Sequence, residues 1–476
     1  MLVIIQRPIN IIIFFGFFFS SCQKEDSVAP TIFISNPLIN ESFQVPTLIN
    51  VSGYTQDNIN IDRVEIDLVA DNSTTIIQKI DFDVDSVFFE FDIQFSIIDR
   101  LLESGTYYIN IKSFDDNQNM SSKYVPLYLY EVPKVLMAEF FITSSNNITE
   151  LYKLDSTGNT HLSYQLSGNY KSSIGNSRHQ YLFIGTDVSG SSISPPLFNN
   201  LWDLSSSISF YNFFSSSSKS NNGDQVHFSF SDGRIFTCNK DGNVINAIYS
   251  DNQENFGKFY VDNDLVLVES TTSFSQNQLV VYFRQSGIEK QRGNINGNLV
   301  EIIPLDNQEY LLASNFSNKV LLSVYFENTN SIYDEFEIQN SEIYDAYKFN
   351  NNILIASSSG ILNYNIITKM LSTINSQLFC EKIIEDEITQ DIYFICGKEL
   401  WNYNGGNNLI QVRSFSDSLK NYIFLYKKLF HLEFHYYHTT DYHFAFLSTL
   451  LPVLHTHGMS ILPIRAEDNP HVLIHY

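Results

Sequence analysis

Few residues in this chain have the types and spacing that catalysis requires. Serine is frequent, but no Gly-x-Ser-x-Gly turn presents one as a nucleophile, and only His161, His179 and His227 precede residue 429 as possible bases. We expect the two tryptophans, Trp202 and Trp401, to pack within the fold; stacking against a sugar is the alternative. The sequence therefore assigns no catalytic residue, and we expect the protein not to be an enzyme.

Two aspartate-rich stretches have part of the spacing of a calcium-binding loop. Residues 81–85 carry aspartate at alternate positions ahead of Asp92, but Ser86 stands where such a loop needs glycine, and Asp92 replaces the bidentate glutamate. The stretch 115–119 fails in the same way, with Met120 at the glycine position. We expect an outward-facing row of carboxylates and a hairpin turn, and we assign no metal ligand and no cofactor.

The four cysteines are Cys22, Cys238, Cys380 and Cys396, and the body of the chain has no Cys-x-x-Cys or Cys/His metal spacing. If Cys22 is modified, at most one pair forms among the other three. Cys380 and Cys396 fall in neighbouring candidate strands and would pair only in an oxidising compartment. We expect buried free thiols, with this disulfide as the alternative.

Cys22 has the setting of a lipid-attachment site. The apolar stretch 9–19 has signal-peptide length and is too short for a membrane span, which takes about 20 residues. With Ser20 and Ser21 before the cysteine, it resembles a bacterial lipoprotein signal. The resemblance implies that residues 1–21 are removed and that Cys22 carries acyl chains, which anchor stably when several share one residue. A plain secretory signal is the alternative.

Lys24, Glu25 and Asp26 follow directly, within an acylated linker at 22–30. A lysine followed by two acidic residues at this position resembles the export signal of Bacteroidota-type surface lipoproteins. The resemblance implies a lipid-anchored outer-membrane protein that faces the cell exterior. The alternative is a solvated linker in a periplasmic lipoprotein.

Composition narrows the class of partner. Hydrophobic residues make up 43% of the 476 residues, which is ample for packed cores, and the 14% aromatic content favours β structure. The formal net charge is −24. Binding to nucleic acid needs clustered cations, so we expect no nucleic-acid partner. The same charge argues against docking on anionic headgroups.

Residues 31–133 predict a β-sandwich of about seven short strands. The segments 62–69 and 87–93 alternate polar and apolar residues, as half-buried strands do. The segment 104–117 resembles the sixth strand and following turn of bacterial immunoglobulin-like and fibronectin-like domains. In that resemblance Tyr107 is the corner tyrosine, whose hydroxyl bonds back to the backbone.

Residues 134–428 contain a weak repeat, marked by a short apolar strand. These strands begin at Phe140, Tyr181, Val226, Leu265, Tyr310, Ile353 and Ile392. Their mean spacing is 42 residues. A period near 42 with four strands per unit predicts a β-propeller, here with seven blades. The alternative is a long β-sandwich or β-solenoid.

The stretch 232–243 resembles one blade of quinoprotein-like and WD40-like propellers, and the stretch 421–426 is the predicted closing strand. The whole layout of leader, sandwich and propeller resembles a group of uncharacterised Bacteroidota-type surface lipoproteins. The resemblance covers residues 10–428 and supplies no functional residue.

Residues 429–476 differ in composition from the rest of the chain. Eight of the 11 histidines lie here: His431, His435, His438, His443, His455, His457, His471 and His475. On a helix the first three would lie on one face, where their imidazole groups could bind a metal ion. We favour instead a translated extension that is foreign to the fold.

The sequence thus predicts an all-β protein with an N-terminal immunoglobulin-like sandwich and a seven-bladed β-propeller. We expect a surface-exposed, lipid-anchored, non-catalytic module whose propeller binds a protein or a glycan. The alternatives are a carbohydrate-active propeller hydrolase or lyase, and a scaffold subunit of an envelope machine.

Overall fold

The computed structural model describes residues 26–428 apart from 71–75, 100, 196, 206–213, 221–222, 251–253, 272–276, 306–307 and 407, together with 460–461 and 474–475. Within these residues the regular structure is almost entirely β-strand, with one short 3-10 helix at Glu327–Thr329. The prediction of an all-β fold is confirmed. The chain divides into two compact units, one of them Lys134–Lys427 and the other formed by the residues on either side of it.

Residues 31–130 of the first unit form a single hydrogen-bonded network of six strands, where the sequence predicted about seven strands of a sandwich. The strands are β1 (Thr31–Asn36), β2 (Glu41–Gln44), β3 (Thr47–Ala70), β4 (Ile76–Ile97), β5 (Gly105–Asp115) and β6 (Met120–Tyr130). The order is β1-β3-β5-β6-β2, and β4 also pairs with β3. β1 pairs with the first half of β3 and β5 with the second half, whereas β4 pairs along both halves. The count is lower because β3 and β4 are long, with 24 and 22 residues, where the sequence predicted short strands.

Inward-facing rows of side chains build the core of the first unit. In the first half of β3 the buried positions are Ile49, Val51, Gly53, Thr55 and Asp57, which follow the two-residue period of a strand. β5 buries every second residue from Tyr107 to Asp115. The two-residue row of β3 stops at Asp57 in the middle of the strand, and the row of β5 stops at Asp115, so a buried carboxylate follows the apolar side chains in both strands.

Tyr107 makes the bond predicted for it. Its hydroxyl donates to the backbone carbonyl of Glu103, four residues upstream, at 2.9 Å. The side chain is buried, and the bond satisfies a phenol that would otherwise lose its water partner without compensation.

The described part of the second unit forms seven four-stranded antiparallel sheets. Six are consecutive in the chain: β10 (Tyr170–Asn176), β11 (Tyr181–Thr186), β12 (Ser189–Ser194) and β13 (Asn199–Ser205); β14 (Phe214–Lys219), β15 (Gln225–Phe230), β16 (Arg234–Asn239) and β17 (Val244–Tyr249); β18 (Asn255–Val261), β19 (Leu265–Thr271), β20 (Asn277–Phe283) and β21 (Glu289–Asn294); β22 (Asn298–Pro304), β23 (Glu309–Phe316), β24 (Lys319–Phe326) and β25 (Ser331–Gln339); β26 (Ile343–Phe349), β27 (Asn352–Ser357), β28 (Gly360–Asn365) and β29 (Met370–Asn375); β30 (Lys382–Glu385), β31 (Ile392–Cys396), β32 (Glu399–Tyr403) and β33 (Leu409–Ser414).

The seventh sheet joins the two ends of this unit. Its order is β34 (Leu419–Lys428), β7 (Lys134–Ser145), β8 (Ile148–Leu154) and β9 (Thr160–Ser167). The predicted closing strand therefore lies in β34, which pairs with the first strand of the unit.

Apolar clusters connect the sheets in a closed series. Each cluster joins one sheet to the next, and one of them joins the sheet of β30–β33 to that of β34 and β7–β9, through Ile395, Leu400, Phe141 and Tyr422. The others make the same kind of contact around the series. Each sheet thus buries both faces against its neighbours, which is a propeller-like arrangement.

This two-sided burial explains the repeated apolar strand. All seven markers lie in the second strand of a sheet, namely in β7, β11, β15, β19, β23, β27 and β31. In β11, Leu182 and Ile184 pack on one neighbouring sheet, whereas Tyr181 and Phe183 pack on the other. Because alternate residues face opposite sides and both sides are covered, the strand is apolar throughout.

The cysteines depart from the favoured prediction of free thiols. Cys380 and Cys396 form a disulfide, while Cys238 is buried and free. The pairing follows from the sheet geometry, because the segment before β30 runs beside the end of its partner strand β31.

Several predictions fall outside the described residues. They include the leader, Cys22, Lys24, Glu25, and the tail apart from Ser460–Ile461 and Ile474–His475, which pair as two short strands. Among the residues that the structure describes, no helix has the length and apolar character to cross a membrane.

Candidate binding site

The first strands of successive sheets lie side by side from β10 through β14, β18, β22 and β26 to β30. Where five of the seven sheets approach, at β10, β14, β26, β30 and β34, they enclose a cavity of about 360 Å³. We call it the inner-strand cavity. Its polar lining consists of Ser173, Lys219, Tyr347, Lys382, Glu385, Glu387 and Asn421.

A lysine and a buried aspartate form the first ion pair of the inner-strand cavity. Lys382 Nζ lies 2.9 Å from Asp345 Oδ2, and that oxygen also accepts the Ile383 backbone N–H at 2.9 Å. Burial alone would lower the pKa of Lys382, but the Asp345 and Glu301 carboxylates outweigh it and hold the pKa above its ordinary value. Lys382 is therefore a permanent cation, whereas a nucleophilic lysine needs a lowered pKa.

A second ion pair lies on the same wall. Lys219 Nζ contacts Glu387 Oε2 at 2.6 Å and donates to the carbonyl of Gly175 at 3.0 Å. Burial alone would raise the pKa of Glu387, but the Lys219 ammonium lowers it below its ordinary value. A general acid at neutral pH needs the opposite shift, so this carboxyl group is suited to pairing and hydrogen bonding.

Neutral hydrogen-bonding groups complete the lining. The Tyr347 hydroxyl donates to Glu385, and burial followed by that carboxylate raises the pKa of Tyr347, so the phenol keeps its proton. Asn421 Nδ2 donates to Ser173 Oγ at 2.8 Å. Ser173 also contacts the hydroxyl of Tyr170 at 3.0 Å. Its partners are thus an amide and a phenol, neither of which is a base that would activate it.

A second cavity, of about 760 Å³, lies at one end of the sheets β18–β21 and β22–β25. In an antiparallel four-stranded sheet the first and third turns share one end. These turns and the strand ends beside them supply Asp262, Lys290 and Tyr310. The Tyr310 hydroxyl donates to Asp262 at 2.7 Å, and Lys290 pairs with Glu327. We call this the turn cavity; like the inner-strand cavity, it is lined by paired polar groups.

The histidines singled out in the sequence lie away from both cavities. His161 contacts Asp155 at 3.0 Å and is exposed, and His179 contacts Asp224 at 2.8 Å. His227 is buried against Thr237, and burial together with the charge of Arg284 lowers its pKa to about 3. His227 is therefore neutral at physiological pH, and its partner is a threonine hydroxyl.

The tryptophans pack as predicted. Trp202 stacks on Phe183 at 5.6 Å between ring centroids, and its indole N–H donates to the carbonyl of Lys240. Trp401 donates to Glu399 and packs on the cluster between β26–β29 and β30–β33.

The aspartate row on β4 is also as predicted. Asp81, Asp83, Asp85 and Asp92 are exposed residues of a strand. The stretch 115–119 is the turn of the β5–β6 hairpin. In the described residues, a different set of side chains brings three potential metal-ligand atoms together, namely Asp26, Asp57 and Asp115 of the first unit.

The lining of the inner-strand cavity was not identified from the sequence. Lys219, Lys382 and Asn421 lie in three different sheets and share no motif. In the sequence these lining residues differ from others only as charged or amide side chains at the edge of an apolar strand, and such side chains occur at many positions in this chain.

Comparisons with known proteins leave the family open. No protein-family model and no curated protein matches the sequence. Among solved structures, the crystal structure of BamB from Moraxella catarrhalis aligns over 60% of this chain and 92% of that chain, with 11% sequence identity and a TM-score of 0.39. A fit this loose carries no argument about function, and the propeller-like fold rests on the sheet topology.

Proposed function

We propose that this protein is a non-catalytic binding module that captures a glycan or a protein segment at the inner-strand cavity. One observation carries the proposal. The cavity is lined by two paired lysines, carboxylates, a phenol and an amide, and the pKa shifts of Lys382, Glu387 and Tyr347 keep these three side chains in their ordinary charge states. Such a lining offers directional hydrogen bonds to a polar partner and no activated nucleophile or acid.

The finer architecture belongs to the same proposal. Seven four-stranded sheets, with β34 paired to β7 and a closed series of apolar clusters, support seven blades of one β-propeller. The Tyr107 bond supports an immunoglobulin-like first domain. In this arrangement the first domain is a spacer and the propeller is the binding element.

The proposed location is the outer membrane, with a lipid anchor on Cys22 and the protein facing the cell exterior. The leader and the Lys24-Glu25-Asp26 sequence support it. Growth with labelled palmitate followed by immunoprecipitation tests the anchor, since we expect label in the wild type and none in the Cys22→Ser variant. Protease treatment of whole cells tests the orientation, and complete protection would contradict surface exposure.

A glycan array with a turnover assay on the same samples tests the binding function. We expect a glycan to bind without being cleaved. The Lys219→Met and Glu387→Gln variants, which remove opposite halves of one ion pair, should each weaken binding by about tenfold or more. Lys240→Gln is the matched control, because Lys240 is exposed and outside the cavity.

Three results would change the proposal. Cleavage of a bound glycan would contradict a non-catalytic role, and equal binding by the cavity variants and the wild type would contradict the site. If no glycan binds, the ligand is a protein, to be captured by cross-linking in whole cells.

A further inference from the structure

The first unit contains a cluster of three carboxylates drawn from distant parts of the sequence. Asp26 precedes β1, Asp57 lies within β3, and Asp115 ends β5. One oxygen from each lies within 4.8 Å of the others. The cluster forms because Asp57 lies in the irregular segment of β3 between Gln56 and Ile61, and Asp115 is opposite Ile61, where the pairing of β3 with β5 ends.

Two of these carboxylates are deeply buried. Asp57 is 7% exposed and Asp115 is 1% exposed. Within the part of the chain that the structure describes, no lysine, arginine or histidine pairs with any of the three. Carboxylates that are removed from water need a cation or a complete set of hydrogen-bond donors. Three carboxylates this close also repel one another, and a bound cation would offset that repulsion.

The hydrogen bonds of the cluster leave one buried oxygen without a partner. Asp57 Oδ2 accepts the backbone N–H groups of Ile59 and Asn60 at 2.8 and 3.1 Å. Asp57 Oδ1 is buried and has no hydrogen-bond partner. An unsatisfied carboxylate oxygen in this position is costly unless a ligand coordinates it. This orphaned atom is independent of the clustering itself and points to a cation.

The surrounding bonds hold the site together. Asp115 accepts both the backbone and the side-chain N–H of Asn119 at 2.7 Å. Asn119 Nδ2 also donates to the carbonyl of Asp26 at 2.9 Å, and Asn58 Nδ2 donates to Asp26 Oδ2 at 3.2 Å. The three aspartates are thus positioned by their own neighbours before any cation enters.

We propose that Asp26, Asp57 and Asp115 form a calcium site that fixes the segment before β1 to the middle of β3 and the end of β5. All three donors are hard oxygens, which excludes a preference for zinc or copper because those metals favour nitrogen and sulfur ligands. Calcium accepts carboxylates in irregular geometry, whereas magnesium demands a near-ideal octahedron and retains water. The site is separate from the inner-strand cavity and does not depend on the proposed binding function.

Calcium titration of the full chain, purified in detergent after treatment with EDTA, tests the site. With CaCl₂ as the probe we expect one saturable binding event per chain, weaker for MgCl₂. Asp57→Asn should reduce calcium affinity by about tenfold or more, because affinity follows the number of charged ligands. Asp83→Asn is the matched control, since Asp83 is an exposed carboxylate of the same unit.

Calorimetric melting separates a metal site from a purely structural role. Calcium should raise the melting temperature of the wild type in proportion to the logarithm of its concentration. In EDTA, D57N should melt at or above the wild type, because one repelling charge is gone; in calcium the order should reverse. A variant that is less stable in both conditions would point to a structural carboxylate and overturn the proposal.

Further outcomes also decide the question. If D57N does not fold, Asp26→Asn replaces it, because Asp26 is only half-buried. The absence of a saturable calcium signal, equal affinity in D57N or D26N and the wild type, or tighter binding of magnesium would each overturn the calcium assignment.

Discussion

Removal of β34 should unfold the second unit, because this strand completes the sheet that joins the two ends of the unit. The test compares a chain that ends at residue 418 with one that ends at residue 428. The shorter chain lacks a strand whose Leu419, Tyr422, Ile423, Leu425 and Tyr426 are each less than 9% exposed. The longer chain retains β34 and lacks only the histidine-rich tail.

The size of the effect follows from the burial. Full burial of an aliphatic side chain contributes about 1.5–3 kcal/mol, so the three aliphatic residues of β34 account for roughly 5–9 kcal/mol before the two tyrosines are counted. A typical domain has a free energy of unfolding of about 5–15 kcal/mol. The loss of β34 therefore removes most of the stability of the second unit and leaves an edge of β7 unpaired.

Thermal melting followed by circular dichroism, with limited proteolysis, is the assay. We expect a cooperative melt for the chain ending at 428 and no cooperative melt of the second unit for the chain ending at 418. As a milder version, Leu425→Ala should cost about 2–5 kcal/mol, whereas Ile410→Ala, at a 55% exposed position on β33, should cost less than about 0.5 kcal/mol. If the chain ending at 418 melts as the longer chain does, closure through β34 is wrong.

Three further predictions concern single interactions. Replacing Cys380 and Cys396 by serine should lower the free energy of unfolding by about 3 kcal/mol, as expected for a loop closed across a separation of 16 residues. In urea unfolding, a reducing agent should destabilise the wild type and leave the variant unchanged. His227 has a pKa of about 3 in the folded protein and 6.5 ordinarily, so the unfolded chain binds a proton there first; the free energy of unfolding should therefore fall as the pH drops from 6.5 towards 3, by at most about 1.4 kcal/mol per pH unit. In urea unfolding at several pH values, His227→Gln should show a shallower dependence of this free energy on pH. An unchanged dependence would contradict the burial of a neutral imidazole. Lys382→Met should lower the free energy of unfolding by about 1–3 kcal/mol, because the buried Asp345 loses its cation, and adding Asp345→Asn should restore part of that loss. Chemical denaturation measures both variants, and additive losses in the double variant would show that the two side chains do not interact.

The repeat pattern was readable in the sequence for a definite physical reason. The second strand of every sheet is covered on both faces, so most of its positions are apolar, and this produced the marker that recurs with a mean spacing of 42 residues. The bond of Tyr107 could be predicted because it is local, with donor and acceptor four positions apart in the chain.

The length of strands was harder to predict. β3 and β4 continue through irregular pairing between Gln56 and Ile61, so they are longer than the short strands that the sequence predicted. The disulfide was underestimated because its formation depends on how the segment before β30 lies against β31, and cysteine spacing alone does not specify that distance.

The sequence by itself therefore determined the all-β class, the repeating unit and the positions of the buried strands, because alternation and periodicity are properties of neighbouring residues. Only the tertiary structure decided which polar side chains meet. Lys219 ends β14 and Glu387 lies in the turn after β30, and Asp26, Asp57 and Asp115 come from three separate segments. Such encounters depend on strand order and register, to which residues far apart in the chain contribute together, and no local pattern records them.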